Sequence, residues 1–453
     1  EHVRCSPQSK ASVDMDIRDP IHGNIELNAG EQAVIESPYF RRLQRIKQLG
    51  FADLVFPGAV HTRYLHSIGV MHLAGHAFDA VFEDADWLPR SDRKRLRQIL
   101  RLAALCHDTG HAPLSHTSEA LFPSIAALQI PHMRGADSPK QARHEHYTFK
   151  LLMDSSLTVL IERNFGSMGI EPHHIAALLY GGISDADDAF VVSGRNLRGV
   201  LSSLCSSEVD VDRMDYLLRD SYFSGVSYGK FDHDWLIDKL TYHEADDGGV
   251  YLAIEDRALY TFDDFLLSRY HMFLMVYFHY KVECFDQMLK RYYEQTPNFT
   301  VPADPETFLT FDDPAVFREL QQGASQSRWA RGILSGTSLS CVAERGWHGR
   351  SDDLSVLENR LEDAGLDYVH TTSKGALSKY RGKTDAERQI FARIQPRHGP
   401  VRFQPLGEAT KLFNRYADTT FMERTYVHAE DVPQVERWVT ELRANPQLTL
   451  TSH

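Results

Sequence analysis

The sequence predicts a mainly α-helical core followed by a smaller α+β region. Three observations carry that expectation. Apolar residues recur at three- and four-residue spacing through most of the first 295 residues. Pro297, Pro302, Pro305 and Pro314 interrupt the pattern between Glu294 and Pro314. Beyond them, short β-like runs alternate with helical ones.

Taken in order, a polar segment occupies 1–15. A helical domain follows at 16–295, in which Leu65 to Phe82, Leu96 to Cys106, Phe149 to Ile161, Val211 to Leu218 and Phe262 to Tyr293 keep a helical repeat. The proline-containing linker covers 296–314 and the α+β region 315–453. In that last region Leu354 to Ala364 and Val432 to Leu442 read as helices, and Tyr368 to Thr371, Val401 to Gln404 and Arg424 to Val427 as strands.

Composition narrows the function classes. The chain has 453 residues, 42% hydrophobic and 25% charged, ordinary values for a globular protein with a large core. Acidic residues outnumber basic ones 62 to 49, a formal charge of −13. Such a balance repels nucleic acid and anionic lipid, so neither is an expected partner, and an anionic substrate must meet a local basic pocket. The longest apolar runs, such as Met272 to Phe278, fall far short of the ~18 residues of a membrane span. Glu1 to Lys10 is polar, without the apolar core of a secretory signal. Cys5, Cys106, Cys205, Cys284 and Cys341 are widely spaced and form no CxxC, which argues against a disulfide scaffold or zinc ribbon and leads to the expectation of a reducing, cytoplasmic setting. Gly375 with Gly382-Lys383-Thr384 imitates a P-loop, but six residues separate the glycines where the phosphate cradle needs four.

Histidine is concentrated: ten of the 23 lie between His61 and His146. The stretch Cys106-His107-Asp108-Thr109-Gly110-His111-Ala112-Pro113-Leu114-Ser115-His116 sets an adjacent His and Asp at the end of an apolar helix, where Gly110 and Pro113 turn the chain. Neutral imidazole together with carboxylate suits a divalent transition metal. Upstream lies His61-Thr62-Arg63-Tyr64-Leu65-His66, and downstream Asp210-Val211-Asp212-Arg213-Met214-Asp215-Tyr216-Leu217-Leu218-Arg219-Asp220. On a helix, Asp212, Tyr216 and Asp220 share one face with Arg213, while Arg269, Phe273 and Tyr277 repeat the four-residue spacing on another.

An isolated His, then HDxGHxPxSH, then DVDRxDYxxRD resembles the HD superfamily of metal-dependent phosphohydrolases, more narrowly its deoxynucleoside triphosphate triphosphohydrolase branch. The likeness begins at Asp19-Pro20-Ile21-His22-Gly23 and reaches Val276-Tyr277-Phe278-His279. It implies that His66, His107, Asp108 and Asp212 ligate a divalent transition metal, iron, manganese, zinc or nickel, with magnesium accompanying the nucleotide. It implies His116 as general acid to the leaving sugar oxygen, His111 and His144 on the α-phosphate, and Glu119, where vertebrate members have Asp, orienting a histidine. Arg63, Arg213 and Arg269 would neutralise the triphosphate, for which the rival reading of Arg213 and Arg269 is an internal salt bridge. Tyr216 would wall the nucleoside, Gln48 and Asp220 hold the 3′ hydroxyl, and Leu49 and Tyr277 exclude a 2′ hydroxyl.

The implied reaction cleaves a dNTP to deoxynucleoside and inorganic triphosphate through metal-activated water at the α-phosphorus. Two other readings stand beside it: an HD phosphohydrolase for a monophosphate, cyclic nucleotide or guanosine polyphosphate, and a nucleotide-sensing or nucleic-acid-binding scaffold with vestigial catalysis. The resemblance also implies a homo-oligomer, dimer or tetramer, with a nucleotide activator between subunits. There this chain departs from the vertebrate pattern, presenting Glu36, Arg41 and Gln44, with Met15 in place of a phosphate-binding Lys.

Overall fold

The computed structural model describes residues 15–180, 183, 187–246, 248–346, 354–376, 389–410, 412 and 419–444. Gly382-Lys383-Thr384 and the polar segment before Met15 lie outside the described residues.

The architecture is mainly helical with small sheets. Six helices carry the site: α1 (Arg63–Val81), α2 (Arg90–Cys106), α3 (His144–Met153), α4 (Val211–Ser224), α5 (Leu259–Met272) and α6 (Tyr280–Gln295). Helix α1 is buried on nearly every side, from Ile68 to Val81, and so runs through the core. Helix α2 divides along its length: Arg90 to Arg97 is largely polar, whereas Ile99 to Cys106 is wholly buried and drives the chain inward. Asp210 caps α4, its carboxylate accepting from the backbone N–H of Arg213 (2.8 Å) and Ser207 (2.9 Å).

Two glycines decide how closely these helices meet. A Cβ at Gly69 on α1 would lie 2.0 Å from Asp215 Oδ1 on α4. A Cβ at Gly110 would lie 2.2 Å from Thr148 N and 2.4 Å from the His144 carbonyl, so only glycine lets the loop after α2 rest on the first turn of α3. Thr148 fastens that contact, donating to the His107 carbonyl (2.9 Å) and accepting from Gly110 N (3.1 Å).

The helical periodicity read over Phe262 to Tyr293 is corrected in the middle. Residues 273–277 form a π turn and the chain breaks before Tyr280, so Arg269, Phe273 and Tyr277 do not follow one α-helical stripe. The mainly helical first part also contains sheet. Met15–Asp19 pairs with Gly23–Leu27, and Leu240–Glu244 with Val250–Glu255, both antiparallel.

Helices Leu354–Asp363 and Val432–Ala444 and strands Tyr368–Ala376, Arg402–Pro405 and Thr419–Val427 take up the expected α+β segments. Thr419–Val427 lies between Ser340–Gly346 and Tyr368–Ala376, antiparallel to both. Leu354, Leu357, Leu361, Val435 and Val439 make a small separate core behind that sheet. Phe391–Ile394 instead runs parallel to Val250–Glu255, and Ala392 and Leu406 join the main core. Arg424 secures the union by donating to the Phe278 carbonyl (2.7 Å) and Glu283 (2.5 Å) at the start of α6. No helix among the described residues is long and apolar enough to cross a membrane.

Candidate functional site

At the buried end of α2 the backbone turns tightly. Thr109 Oγ1 donates to the Cys106 carbonyl (2.8 Å), and His107 meets the Ala104 carbonyl through Nδ1 (2.7 Å). That contact makes Nδ1 the protonated nitrogen and leaves Nε2 with its lone pair outward. Nε2 is buried and has no hydrogen-bond partner. It lies 3.5 Å from Asp108 Oδ1 and 3.6 Å from Asp212 Oδ1. His66, one turn into α1, brings its Nε2 to 2.9 Å from Asp212 Oδ1 and 4.0 Å from Asp108 Oδ2.

Two imidazole nitrogens and two carboxylates thus converge. Bonds of ~2.0 to 2.2 Å to a central ion set neighbouring donors ~3 Å apart, so the donor set and the unpartnered His107 Nε2 both fit a divalent transition metal.

Asp215, a residue outside the expected ligand set, orients this centre. Its Oδ2 accepts from His66 Nδ1 (2.7 Å), its Oδ1 contacts His22 Nε2 (2.7 Å), and Arg219 grips both oxygens (2.8 Å each). Arg219 is itself held by Asp19 (2.8 Å). This is the carboxylate–imidazole arrangement that fixes a ligand's tautomer. Burial opposes the charge on Asp215, but Arg219 and the two histidines keep its carboxyl well below the usual range. Asp215 and Arg219, four apart beside Met214 and Leu217 on the core-facing part of α4, were the signal available in the sequence, since buried charges must be paired.

The resemblance sends Arg63 to the phosphates; its Nη1 donates to Asp108 Oδ2 (2.5 Å) and its Nη2 to Ser115 Oγ (3.1 Å). Despite burial, that guanidinium, followed by His107, holds the Asp108 carboxyl well below its ordinary range. Leu114 and Ser115 take left-handed backbone angles (φ 52° and 64°), a strained pair for residues with a Cβ. Asp313, far along the chain, keeps the turn in place by accepting from Leu114 N (2.8 Å) and Lys47 N (2.9 Å).

The turn presents His116 and Glu119 to α3. Glu119 Oε1 takes Nδ1 of both His144 (2.6 Å) and His116 (3.0 Å), and the His111 ring stacks on His144 at 4.6 Å between centroids. Burial opposes it, but the hydrogen bonds from His116 and His144 bring the Glu119 carboxyl down to about 2. His144 moves up from its ordinary value, burial being outweighed by the Glu119 hydrogen bond and the charges of Glu145 and Glu119. His111 moves well below, through burial and then Arg63, and its Nδ1 meets the Ala112 carbonyl (3.1 Å).

A second group of side chains is cationic and aromatic. Arg213 and Arg269 converge on Glu208, at 3.9 Å and 3.1 Å, and Arg213 also lies 3.4 Å from Asp210. Both arginines are therefore ion-paired, to a residue outside the expected site. Tyr216 and Tyr277 meet edge to face at 6.2 Å. Asp220 is held by Tyr277 Oη (2.8 Å) on one oxygen and His61 Nε2 (2.7 Å) on the other. The His61 carbonyl accepts from Gln48 N (3.0 Å), joining Gln48 and partly buried Leu49 to the same wall, and Gln48 Oε1 is buried without a partner. Elsewhere Met15, Glu36, Arg41 and Gln44 line a cavity of about 210 Å³ with Gln32 and Tyr64.

Residues 63–220 match the HD domain, and residues 231–334 match the HD associated region. An uncharacterized protein of Bacillus subtilis is 31% identical over 277 residues, covering 60% of this chain and 54% of the relative. The deoxynucleoside triphosphate triphosphohydrolase SAMHD1 of Mus musculus is 34% identical over 240 residues, covering 51% of this chain and 35% of the relative. The chain therefore spans about half the length, or less, of these curated relatives. A hypothetical protein of Aquifex aeolicus shares the fold, with a TM-score of 0.71, 24% identity, and coverage of 94% of this chain and 99% of that one.

Proposed function

We propose, from the premise that this chain carries an HD domain followed by an HD associated region, that it hydrolyses deoxynucleoside triphosphates to deoxynucleoside and inorganic triphosphate. One observation carries the reading: His66, His107 and Asp212 bring their ligand atoms together with Asp108 beside them, in a domain that also holds a hydrogen-bonded histidine cluster and a pair of buried arginines. His66, His107, Asp108 and Asp212 would hold a divalent ion, which would supply Lewis-acid polarisation and a water nucleophile near neutral pH.

The chain's own residues supply the rest. His144, held by Glu119 and stacked on His111, binds an α-phosphate oxygen, and His116, positioned by Glu119, delivers a proton to the departing 5′ oxygen. Arg213 and Arg269 exchange Glu208 for phosphate oxygens, joined by Arg63 as the substrate draws near Asp108. Tyr216 and Tyr277 flank the nucleoside, and Gln48, with its unsatisfied Oε1, holds the 3′ hydroxyl alongside Asp220. The mouse relative, a deoxynucleoside triphosphate triphosphohydrolase by name, supports the substrate class.

The test is incubation with each of the four dNTPs, singly and mixed, followed by separation of nucleosides from nucleotides and of triphosphate from smaller phosphates. Nucleoside and triphosphate in equal amounts are expected. Turnover of monophosphates or cyclic nucleotides alone would move the protein to another HD phosphohydrolase reaction.

A further inference from the structure

We propose that His111, His116, Glu119 and His144 form a second metal site, separate from the His66, His107, Asp108 and Asp212 centre, which takes a zinc-class divalent ion and, when filled, blocks proton delivery to the leaving group. One ligand atom from each of these four residues lies within 4.8 Å of the other three, and none of the four belongs to the first centre. The tightest part of the cluster is hydrogen-bonded, a little more compact than a coordination shell: Glu119 Oε1 is 2.6 Å from His144 Nδ1 and 3.0 Å from His116 Nδ1. A tetrahedral ion with bonds of ~2.0 to 2.1 Å keeps its donors ~3.3 Å apart, so small side-chain rotations that ease the two Glu119 contacts and draw in the wider-spaced donors form the site.

The donors also have the right character. Three imidazoles and one carboxylate suit zinc, cobalt or nickel better than magnesium or calcium, which prefer all-oxygen shells. His111 supplies an independent indication. Its Nδ1 faces the Ala112 carbonyl, so Nδ1 carries the proton and Nε2 keeps a lone pair. A lone pair cannot donate to a phosphate oxygen, but it can bind a cation, and the carbonyl behind Nδ1 is the partner commonly found behind a metal-bound histidine. Glu145 Oε2, 3.7 Å from His144 Nδ1, adds negative charge at the rim. The His111 residue is 1% exposed at the base, whereas the His116 side chain is 70% exposed at the mouth, which gives an ion a way in.

Filling the site alters the histidines' protons. The ion takes the lone pairs of His116 Nδ1, His144 Nδ1 and Glu119 Oε1, so the protons now shared along those two hydrogen bonds move to Nε2 or to solvent. An imidazole coordinated through Nδ1 cannot hold the second ring proton that a general acid must give up. This inhibitory consequence rests on the role proposed above for His116; the metal count does not.

The experiment uses the full chain, stripped with a chelator, reloaded with Zn(II), freed of loosely bound ion and measured by elemental analysis. Wild type should hold two equivalents, Asp212→Ala one, and Glu119→Ala one. His144→Gln serves as a second probe should Glu119→Ala not fold. Loading with Co(II) should give two sets of visible absorption bands in wild type and lose one set in Glu119→Ala. Hydrolysis of dNTP should rise with the first equivalent of Zn(II) and fall by about 10²-fold with the second, the scale of losing a general acid. A single equivalent in wild type, or two retained in both Glu119→Ala and His144→Gln, would overturn the second site. Two equivalents that depend on Glu119, in a protein without dNTP hydrolysis, would leave the site standing and sink the substrate proposal alone.

Discussion

Gly69→Ala sets helix propensity against packing, and the two predict opposite signs. Inside a helix the exchange of glycine for alanine favours folding by about 1 kcal/mol. At Gly69, however, the new Cβ would sit 2.0 Å from Asp215 Oδ1 and 2.4 Å from Arg219 Nη2, against ordinary contact from 3.4 Å, so about 1.4 Å of movement is required. Asp215 cannot simply rotate away. Its two oxygens engage His22, His66 and Arg219, and Arg219 is fixed by Asp19. Separating helices α1 and α4 loosens that network, and disrupting a buried ion pair costs about 3 to 5 kcal/mol. After the propensity gain, a net loss of about 2 to 4 kcal/mol is expected. Because Asp215 orients His66, metal affinity should fall about 10- to 100-fold. Urea unfolding of the metal-free protein, with competitive titration against a chromogenic chelator, reads both quantities. A variant as stable as wild type with unchanged metal affinity would refute the account of this helix contact.

Asp212→Ala should lower bound metal and turnover together, read by elemental analysis and product formation; undiminished values of both would remove Asp212 from the centre. His116→Ala should keep the metal of the first centre and reduce turnover by about 10² to 10⁴, and a variant at full rate would show that the proton comes from another group. Deoxynucleotides should be preferred over matching ribonucleotides by at least about tenfold in kcat/KM, since a 2′ hydroxyl against Leu49 loses water without a partner; equal rates in a dATP and ATP competition would contradict this. The His144 pKa lies above its unfolded value, so its stabilising contribution is complete below about pH 6.5 and is lost as pH rises through the folded value. Glu119 has the opposite sign: at about 2 in the fold, its contribution is present above its ordinary range and lost as pH falls towards that value. Unfolding free energies of wild type and Glu119→Gln from pH 3 to 9 test both, and parallel curves would argue against the Glu119–His144 link.

The sequence by itself determined the ingredients of the site and most of the regular structure near them. Side-chain chemistry and local order are written along the chain, so the His-Asp pair after an apolar helix, the shared face of Asp212, Tyr216 and Asp220, and the strand ending in Val427 could all be read there. Tertiary structure alone decided which groups meet. Leu114 and Asp313 lie 199 positions apart, and His61 and Asp220 lie 159 apart, so no local periodicity contains either contact. The pairing of Arg213 and Arg269 with Glu208 depends on where α5 crosses the start of α4. The π turn at 273–277 interrupts a repeat that the local sequence reads as continuous α-helix. Proton positions are of the same kind. An imidazole has two nitrogens of similar basicity, and the Ala104 carbonyl for His107, Asp215 for His66 and Glu119 for His116 and His144 select the one that carries hydrogen, a choice made by neighbours that only the folded chain supplies.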